Sequence, residues 1–245
     1  MTEPRVVVIV QARMGSTRLP GKVLMDLGGR PMLERQIQRL RRARTPDAIV
    51  IATSTGSGDD PIVDLVNALG VPTYRGPEND VLARYAGAAA SHRADVVVRV
   101  TGDCPLIDPG VLDRCVRHLL DDPELDYVSN ALPRTFPRGL DVEVLTREAL
   151  DTAHREATEA ADREHVTRYV WRRPRHFRTA GVTDDDDHSH LRWTVDSLED
   201  LEVVRAIYAA LYPLNADFGY TDALRHAREH PTVHAVNAHV VQKQD

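Results

Sequence analysis

Arg5, Val6, Val7, Val8, Ile9 and Val10 run directly into Gln11-Ala12-Arg13-Met14-Gly15-Ser16-Thr17-Arg18-Leu19-Pro20-Gly21-Lys22. An apolar run of this length without alternation is the pattern of a strand buried on both faces, which is how parallel strands read when helices cover the sheet on either side. The dozen residues that follow combine two arginines, a lysine, two hydroxyls and two glycines. Glycine lets backbone amides approach an anion closely, and the cations neutralise it. A strand that ends in such a loop predicts an α/β domain with a polyphosphate at the carboxyl end of its first strand.

Working outward, short β-rich runs alternate with longer helical ones. Met32, Leu33, Ile37 and Leu40 lie at helical spacing within Pro31 to Arg42. Ala48 to Ala52 reads as a strand, and Ile62, Leu65, Val66 and Leu69 mark a helix that Gly70 stops. Val71 to Tyr74 predicts a strand, Val81 to Ala90 a helix, Asp95 to Val100 a strand and Pro109 to Leu120 a helix. This βαβαβαβα order predicts a mostly parallel sheet. The second half is less regular: strands over Tyr127 to Ser129, Leu140 to Leu145, Phe177 to Val182 and Trp193 to Val195, and helices from Arg147 to about Trp171 and from Leu198 to Leu211. With no internal repeat or long linker, the simplest account is one domain over 1–245.

Composition narrows the partners. The 245 residues carry 31 Lys and Arg against 37 Asp and Glu, a formal net charge of -6. That balance lacks the basic footprint of a nucleic-acid binder, while leaving room for a local cation cluster around a mononucleotide. The run from Val7 to Val10 is too short for a signal sequence or membrane span. Two cysteines, Cys104 and Cys115, fit a reducing compartment and no zinc spacing, so a cytoplasmic protein with buried free thiols is expected.

The opening loop fails the Walker A pattern, because five residues separate Gly15 from Gly21 and Val23 follows Lys22. The dinucleotide fingerprint is absent as well. The stretch from Val10 to Gln36 instead resembles the N-terminal signature of the cytidylyltransferases that make CMP-activated acidic sugars, the CMP-acylneuraminate and CMP-ketodeoxyoctonate synthetases. Within that group it is most similar to the spore-coat polysaccharide synthesis protein F family. Further blocks follow in order: GPENDVLARY (Gly76 to Tyr85), VRVTGDCPLIDP (Val98 to Pro109), GLDVEV (Gly139 to Val144), REHVTRYVW (Arg163 to Trp171) and LRWTVDSLEDLEVV (Leu191 to Val204). The resemblance implies a Rossmann-like, glycosyltransferase-A-like sandwich that is dimeric and magnesium-dependent. Residues 1 to about 125 would form its nucleotide-binding half, and those from about 126 to 245 its acceptor-binding and dimerisation half.

The expected activity is transfer of CMP from CTP to a small acidic acceptor, with release of pyrophosphate. Such chemistry needs positioning and charge neutralisation more than a protein nucleophile. Lys22 and Arg13 are the candidates for the triphosphate, with Gly15, Ser16 and Arg18 assisting. Gln11 and Ala12 would, by resemblance, lie near the base. Asn79, Asp80 and Arg84 are further nucleotide-contact candidates. Hard carboxylates suit magnesium, and the resemblance makes Asp103 and Asp196 the metal-binding pair. Asp103 is equally the Asp of a Gly-Asp turn before Pro105, and Asp196 or Ser197 equally a helix cap.

On the acceptor side stand Arg138, Asp141, Glu143, Arg163, His165 and Arg168. Asp141 and Glu143 would share one face of a strand. Asp184 to Asp187, with His188 and His190, reads as a solvated loop, because consecutive acids cannot all face one ion. The rival classes are a metal-dependent glycosyltransferase of similar fold and a non-catalytic nucleotide binder.

Overall fold

A computed structural model describes residues 3–242. Its frame is a seven-stranded sheet, made of β1 (Val6–Gln11), β2 (Ala48–Ser54), β3 (Thr73–Gly76), β4 (Val96–Thr101), β5 (Tyr127–Ser129), β6 (Glu143–Thr146) and β7 (Thr179–Gly181). The spatial order is β3-β2-β1-β4-β6-β5-β7. β6 runs antiparallel to both of its neighbours, and the remaining pairings are parallel. The fold is therefore the mixed, mostly parallel α/β class expected from the alternating pattern.

The opening strand is apolar throughout because both of its faces are covered. Val6, Val8 and Val10 point into one core with side chains from α1 (Met32–Leu40), α2 (Asp60–Ala68) and further helices downstream. Val7 and Ile9 point into the other core, closed by α3 (Val81–Ser91) and later helices. Each fully buried aliphatic side chain contributes roughly 1.5–3 kcal/mol, and β1 places five there. After α4 (Pro109–Asp121) come α5 (Arg147–Glu156), α6 (Ala160–His165) and α7 (Arg168–Trp171), then α8 (Leu198–Leu211), α9 (Tyr220–Glu229) and α10 (Pro231–Ala235). α4, α8 and α9 join the first core, whereas α5 and α7 join the second. No helix among the described residues is long and apolar enough to cross a membrane.

Local rules explain most boundaries. Asp80 caps α3 by accepting the Ala83 amide at 2.9 Å, and Asp108 caps α4 through the Gly110 and Val111 amides. Gly70 ends α2 at φ 64°, a left-handed conformation that glycine adopts at little cost.

The second half departs from expectation in three places. The continuous helix expected from Arg147 to Trp171 is broken into α5, α6 and α7, with Val166 at φ 56°. Val166 is fully buried, and the adjoining Thr167 hydroxyl donates to Glu143, so tertiary contacts outweigh helix continuity. Trp193 to Val195 is not a strand of the sheet. Its amides are met by loop carbonyls, Trp193 by Arg138 at 2.7 Å and Val195 by Asp103 at 2.9 Å. The strand expected from Leu140 begins only at Glu143, which leaves Asp141 in the preceding loop.

Candidate active site

The loop after β1 is shaped by contacts outside itself. Asp59 accepts the Met14 amide at 2.7 Å, the Thr53 hydroxyl at 2.9 Å and the Ser54 amide at 3.0 Å. Burial works to raise the Asp59 pKa, but these donors outweigh it and hold the carboxyl below its ordinary value. Within the loop, Gly21 donates to the Met14 carbonyl at 3.0 Å and Leu19 to the Ser16 hydroxyl at 3.3 Å. The folded loop forms one wall of a cleft of ≈ 370 Å³, to which Gln11, Ala12, Arg13, Gly15, Ser16, Arg18 and Lys22 all contribute.

Opposite stand two loop ends. Gly102, just past β4, sits so close to β1 that an added Cβ would lie 2.9 Å from the Gln11 carbonyl oxygen, so only glycine fits without a shift. The next residue, Asp103, meets the Lys22 ammonium at 3.0 Å. Asp196 meets the same ammonium at 2.8 Å, and the Val195 carbonyl accepts from it at 2.8 Å. Three segments far apart in the chain thus converge on one nitrogen. Burial disfavours the Lys22 ammonium, but Asp103 and Asp196 outweigh it and set its pKa above the ordinary lysine value. Asp103 feels the same balance in reverse: burial raises it, while Lys22 and the Thr101 hydroxyl hold it below the usual carboxylate range.

Neither aspartate is spent on a cap. Asp103 accepts from the Thr101 hydroxyl at 2.6 Å. Asp196 pairs with Arg18 and with Arg192, each at 2.9 Å, whereas Ser197 and Asp200 form the capping box of α8. Arg192 and Asp200 are themselves a buried pair at 2.8 Å, and Asp200 also accepts the Asp196 amide at 2.9 Å. Two carboxylates aimed at one cationic point, with phosphate oxygens and water to complete the shell, are a donor set that fits a hard divalent ion.

A second cavity of ≈ 550 Å³ adjoins the cleft. Arg99, Thr101, Arg138, Asp141, His165 and Gln242 line both, so the two spaces share a seam. Three arginines, Arg99, Arg134 and Arg138, face two carboxylates, Asp141 and Glu143, in its wall. Glu143 accepts from Arg99, from Thr167 and, at 2.7 Å, from Tyr127. Burial pushes its pKa up, but Arg99 and these hydroxyls bring it below the ordinary value. Gly139, at φ +103°, lets this wall press against the Asp196 segment, since a Cβ there would stand 2.5 Å from the Thr194 nitrogen. Asp141 and Glu143 do reach one cavity, although not as alternate residues of one strand.

The candidates divide accordingly. Arg84, 1% exposed, holds the Pro77 and Glu78 carbonyls and lines the cleft. Asn79 and Asp80 lie outside the linings of both cavities; Asp80 is taken by its capping role and by Arg163, whose guanidinium meets it at 2.6 Å. Arg168 pairs with Asp162 and Glu159 and lines neither cavity. Arg163 and Arg168 thus serve as clasps around α6, because acids from the same surface reach them first. Asp184 accepts the Tyr220 hydroxyl at 2.6 Å and Asp187 the Ser189 amide at 2.8 Å. Cys104 and Cys115 are buried free thiols; burial pushes Cys115 up to about 12.

Sequence reasoning missed Arg99, Thr101, Arg134, Arg192 and Asp200. Arg99 left a signal, as the one charge inside the apolar run Val96 to Val100. Asp200 was visible only as a helix-start residue, and Arg134 carried no signal.

A family profile described as cytidylyltransferase matches residues 7–211. An uncharacterized protein of Methanocaldococcus jannaschii is 35% identical over 241 residues, 98% of this chain and 97% of its own. The spore coat polysaccharide biosynthesis protein SpsF of Bacillus subtilis is 34% identical over 211 residues, 83% of this chain and 86% of its own. A solved cytidylyltransferase structure from Leptospira borgpetersenii superposes with a TM-score of 0.91 at 31% identity, covering 99% of this chain and 100% of that one.

Proposed function

The chain belongs to the cytidylyltransferase family, and on that premise we propose that it transfers CMP from CTP to a small acidic sugar, or a related phosphate or phosphonate, releasing pyrophosphate. The observation that carries the reading is the meeting of the Asp103 and Asp196 carboxylates on the Lys22 ammonium, at 3.0 and 2.8 Å, beside the seam of two cavities. One cavity takes the nucleotide and the other the acceptor, so the α-phosphate and the attacking oxygen meet at the seam.

In this reading Gln11 and Ala12 face the cytosine, while Arg13, Gly15, Ser16, Arg18 and Arg84 hold the triphosphate. Asp103 and Asp196 hold a divalent ion, Mg²⁺ being the proposed one, which when bound supplies Lewis-acid neutralisation of charge on the α-phosphate. Lys22 balances the two carboxylates in the free protein and turns its ammonium to the phosphates when the nucleotide enters. Arg138 and His165, which line both cavities, orient the acceptor. Holding both reactants at one seam converts an encounter in solution into a reaction between neighbours, which is where much of the acceleration arises.

Polysaccharide assembly is the proposed setting, after the name of the Bacillus subtilis relative. A cytoplasmic homodimer formed through the half beyond about residue 126 completes the proposal, and sedimentation velocity checks its assembly state. The functional test is a matrix of the four nucleoside triphosphates against acidic sugars, sugar phosphates and phosphonates, with Mg²⁺ or Mn²⁺ and pyrophosphate as readout. CTP-dependent release with one acceptor class is expected. Release with another triphosphate in preference to CTP, or an acceptor product lacking CMP, would sink the proposal.

A further inference from the structure

Outside the cleft, α1 and the end of α8 enclose a cavity of ≈ 230 Å³ lined by Arg35, Arg39, Arg42, Tyr208, Tyr212 and Asp217, among others. Its positive charge is poorly matched by acids. Arg35 and Arg39 are each 4% exposed. Arg35 donates to the Leu27 and Gly28 carbonyls and to the Gln38 side-chain oxygen, and Arg39 to the Ile107 carbonyl at 2.7 Å and the Phe218 carbonyl at 3.0 Å. All these partners are neutral, and among the described residues neither arginine pairs with a carboxylate. Asp108, whose charge reaches Arg39, already accepts the Gly110, Val111 and Tyr220 amides. Arg42 has Asp217 at 3.5 Å, but that carboxylate is 77% exposed.

Carbonyl dipoles fix the direction of a guanidinium without cancelling its charge, and a buried cation is costly until an anion reaches it. Burial accordingly pushes Arg39 below the ordinary arginine value. We infer that this cavity is a second ligand site, separate from the substrate cleft, that takes a compact phosphate-bearing anion on the guanidinium edges of Arg35, Arg39 and Arg42. The aromatic rings favour a small ligand over a nucleotide. The Tyr212 face is already covered by Arg35, at 4.1 Å from ring centroid to guanidinium carbon, which leaves it closed to a stacked base.

The site is wired to the cleft through α1. Gln36 donates to the Thr101 carbonyl at 2.8 Å and Arg39 to that of Ile107, so one helix grips both ends of the loop bearing Asp103. An anion bound at Arg39 steadies that grip.

Isothermal titration with inorganic phosphate and with pyrophosphate, without divalent metal, tests the inference. It is run on Lys22→Ala protein, in which binding at the cleft is weakened, and in the same background with changes at the cavity. Saturable binding should persist in Lys22→Ala. Ala216→Glu, placed at the exposed rim where no clasp is lost, should weaken it on the order of tenfold through like charge, and Asp217→Asn should strengthen it about twofold. The last result separates a ligand site from a purely structural arginine cluster, which would gain nothing. Binding that Ala216→Glu leaves unchanged, no binding in Lys22→Ala, or a sedimentation shift in Ala216→Glu without loss of anion affinity would each overturn the inference. None of these outcomes depends on whether CTP is the substrate.

Discussion

Asp103 and Asp196 end within a hydrogen bond of the same ammonium, yet different parts of the molecule hold them there. Asp103 is a local product: it follows β4 directly, Gly102 allows the close approach to β1, and the Thr101 hydroxyl two residues earlier steadies its oxygen at 2.6 Å. Asp196 depends on distant chain. Arg192 meets it at 2.9 Å, and Arg192 is in turn held by Asp200 at 2.8 Å and by Gln242 at 2.6 Å. Asn237 bridges the Arg192 carbonyl and Asp200, each at 2.9 Å. One arm of the site is therefore set by a strand end, and the other by a buried charge network that includes the last described residues. Perturbation should separate them.

The largest effect is expected where the arms act together. Asp103→Asn and Asp196→Asn should each lower turnover on the order of a thousandfold or more while circular dichroism stays unchanged, because each removes charge from the same point. Near-normal turnover in either variant would dissolve the pairing.

Below that, the arms should diverge. Asp200→Asn leaves the buried Arg192 short of a charge partner, and residues that orient metal ligands typically change affinity about 10–100-fold, so the divalent concentration for half-activity should rise by that order. Thr101→Val should raise it less, on the order of fivefold, because only one hydrogen bond to Asp103 is lost and Lys22 still holds the carboxylate. Equal shifts in the two variants would break the contrast.

The remaining expected effect is on stability rather than turnover, and it touches the Asp196 arm alone. The Trp193 indole donates to His234 at 3.2 Å, and His234 in turn meets His226 at 3.2 Å. Burial, reinforced by His226 and His230, brings His234 down to about 4 from 6.5. The folded protein keeps this ring neutral, whereas the unfolded chain takes up a proton below about pH 6.5. The stabilisation is complete above that pH and fades as pH falls toward 4, by about 2 kcal/mol at pH 5. Thermal melts from pH 7.5 to 5 should show the decline, and His234→Gln should flatten it. A His234→Gln protein with the same slope would place the titrating group elsewhere.

The two arms were also unequally legible. Asp103 was visible because a strand, Thr101-Gly102-Asp103 and Pro105 follow in succession, so position in sequence already implied position in space. Asp196 was visible as a residue ahead of a helix, but nothing local tied Arg192 to it, and Asp200 carried only the signal of a helix start. On the acceptor side, Arg163 and Arg168 looked like anion binders from charge alone. Asp80, 83 positions away from Arg163, claimed one, and Asp162 and Glu159 claimed the other. Charge in a sequence shows that a partner is needed, not which partner arrives.

What the sequence determined by itself was the α/β class, the chain positions of the first four strands, the cation- and glycine-rich loop after β1 and the family. These follow from apolar periodicity, glycine positions and residue types that act over a few neighbours. The tertiary structure decided which arginines were claimed by neighbouring acids, where the helix after β6 breaks, and how Asp196 is aimed. Those outcomes rest on burial and ion pairing between segments dozens to more than a hundred residues apart, and burial is a property that no residue has until the chain closes around it.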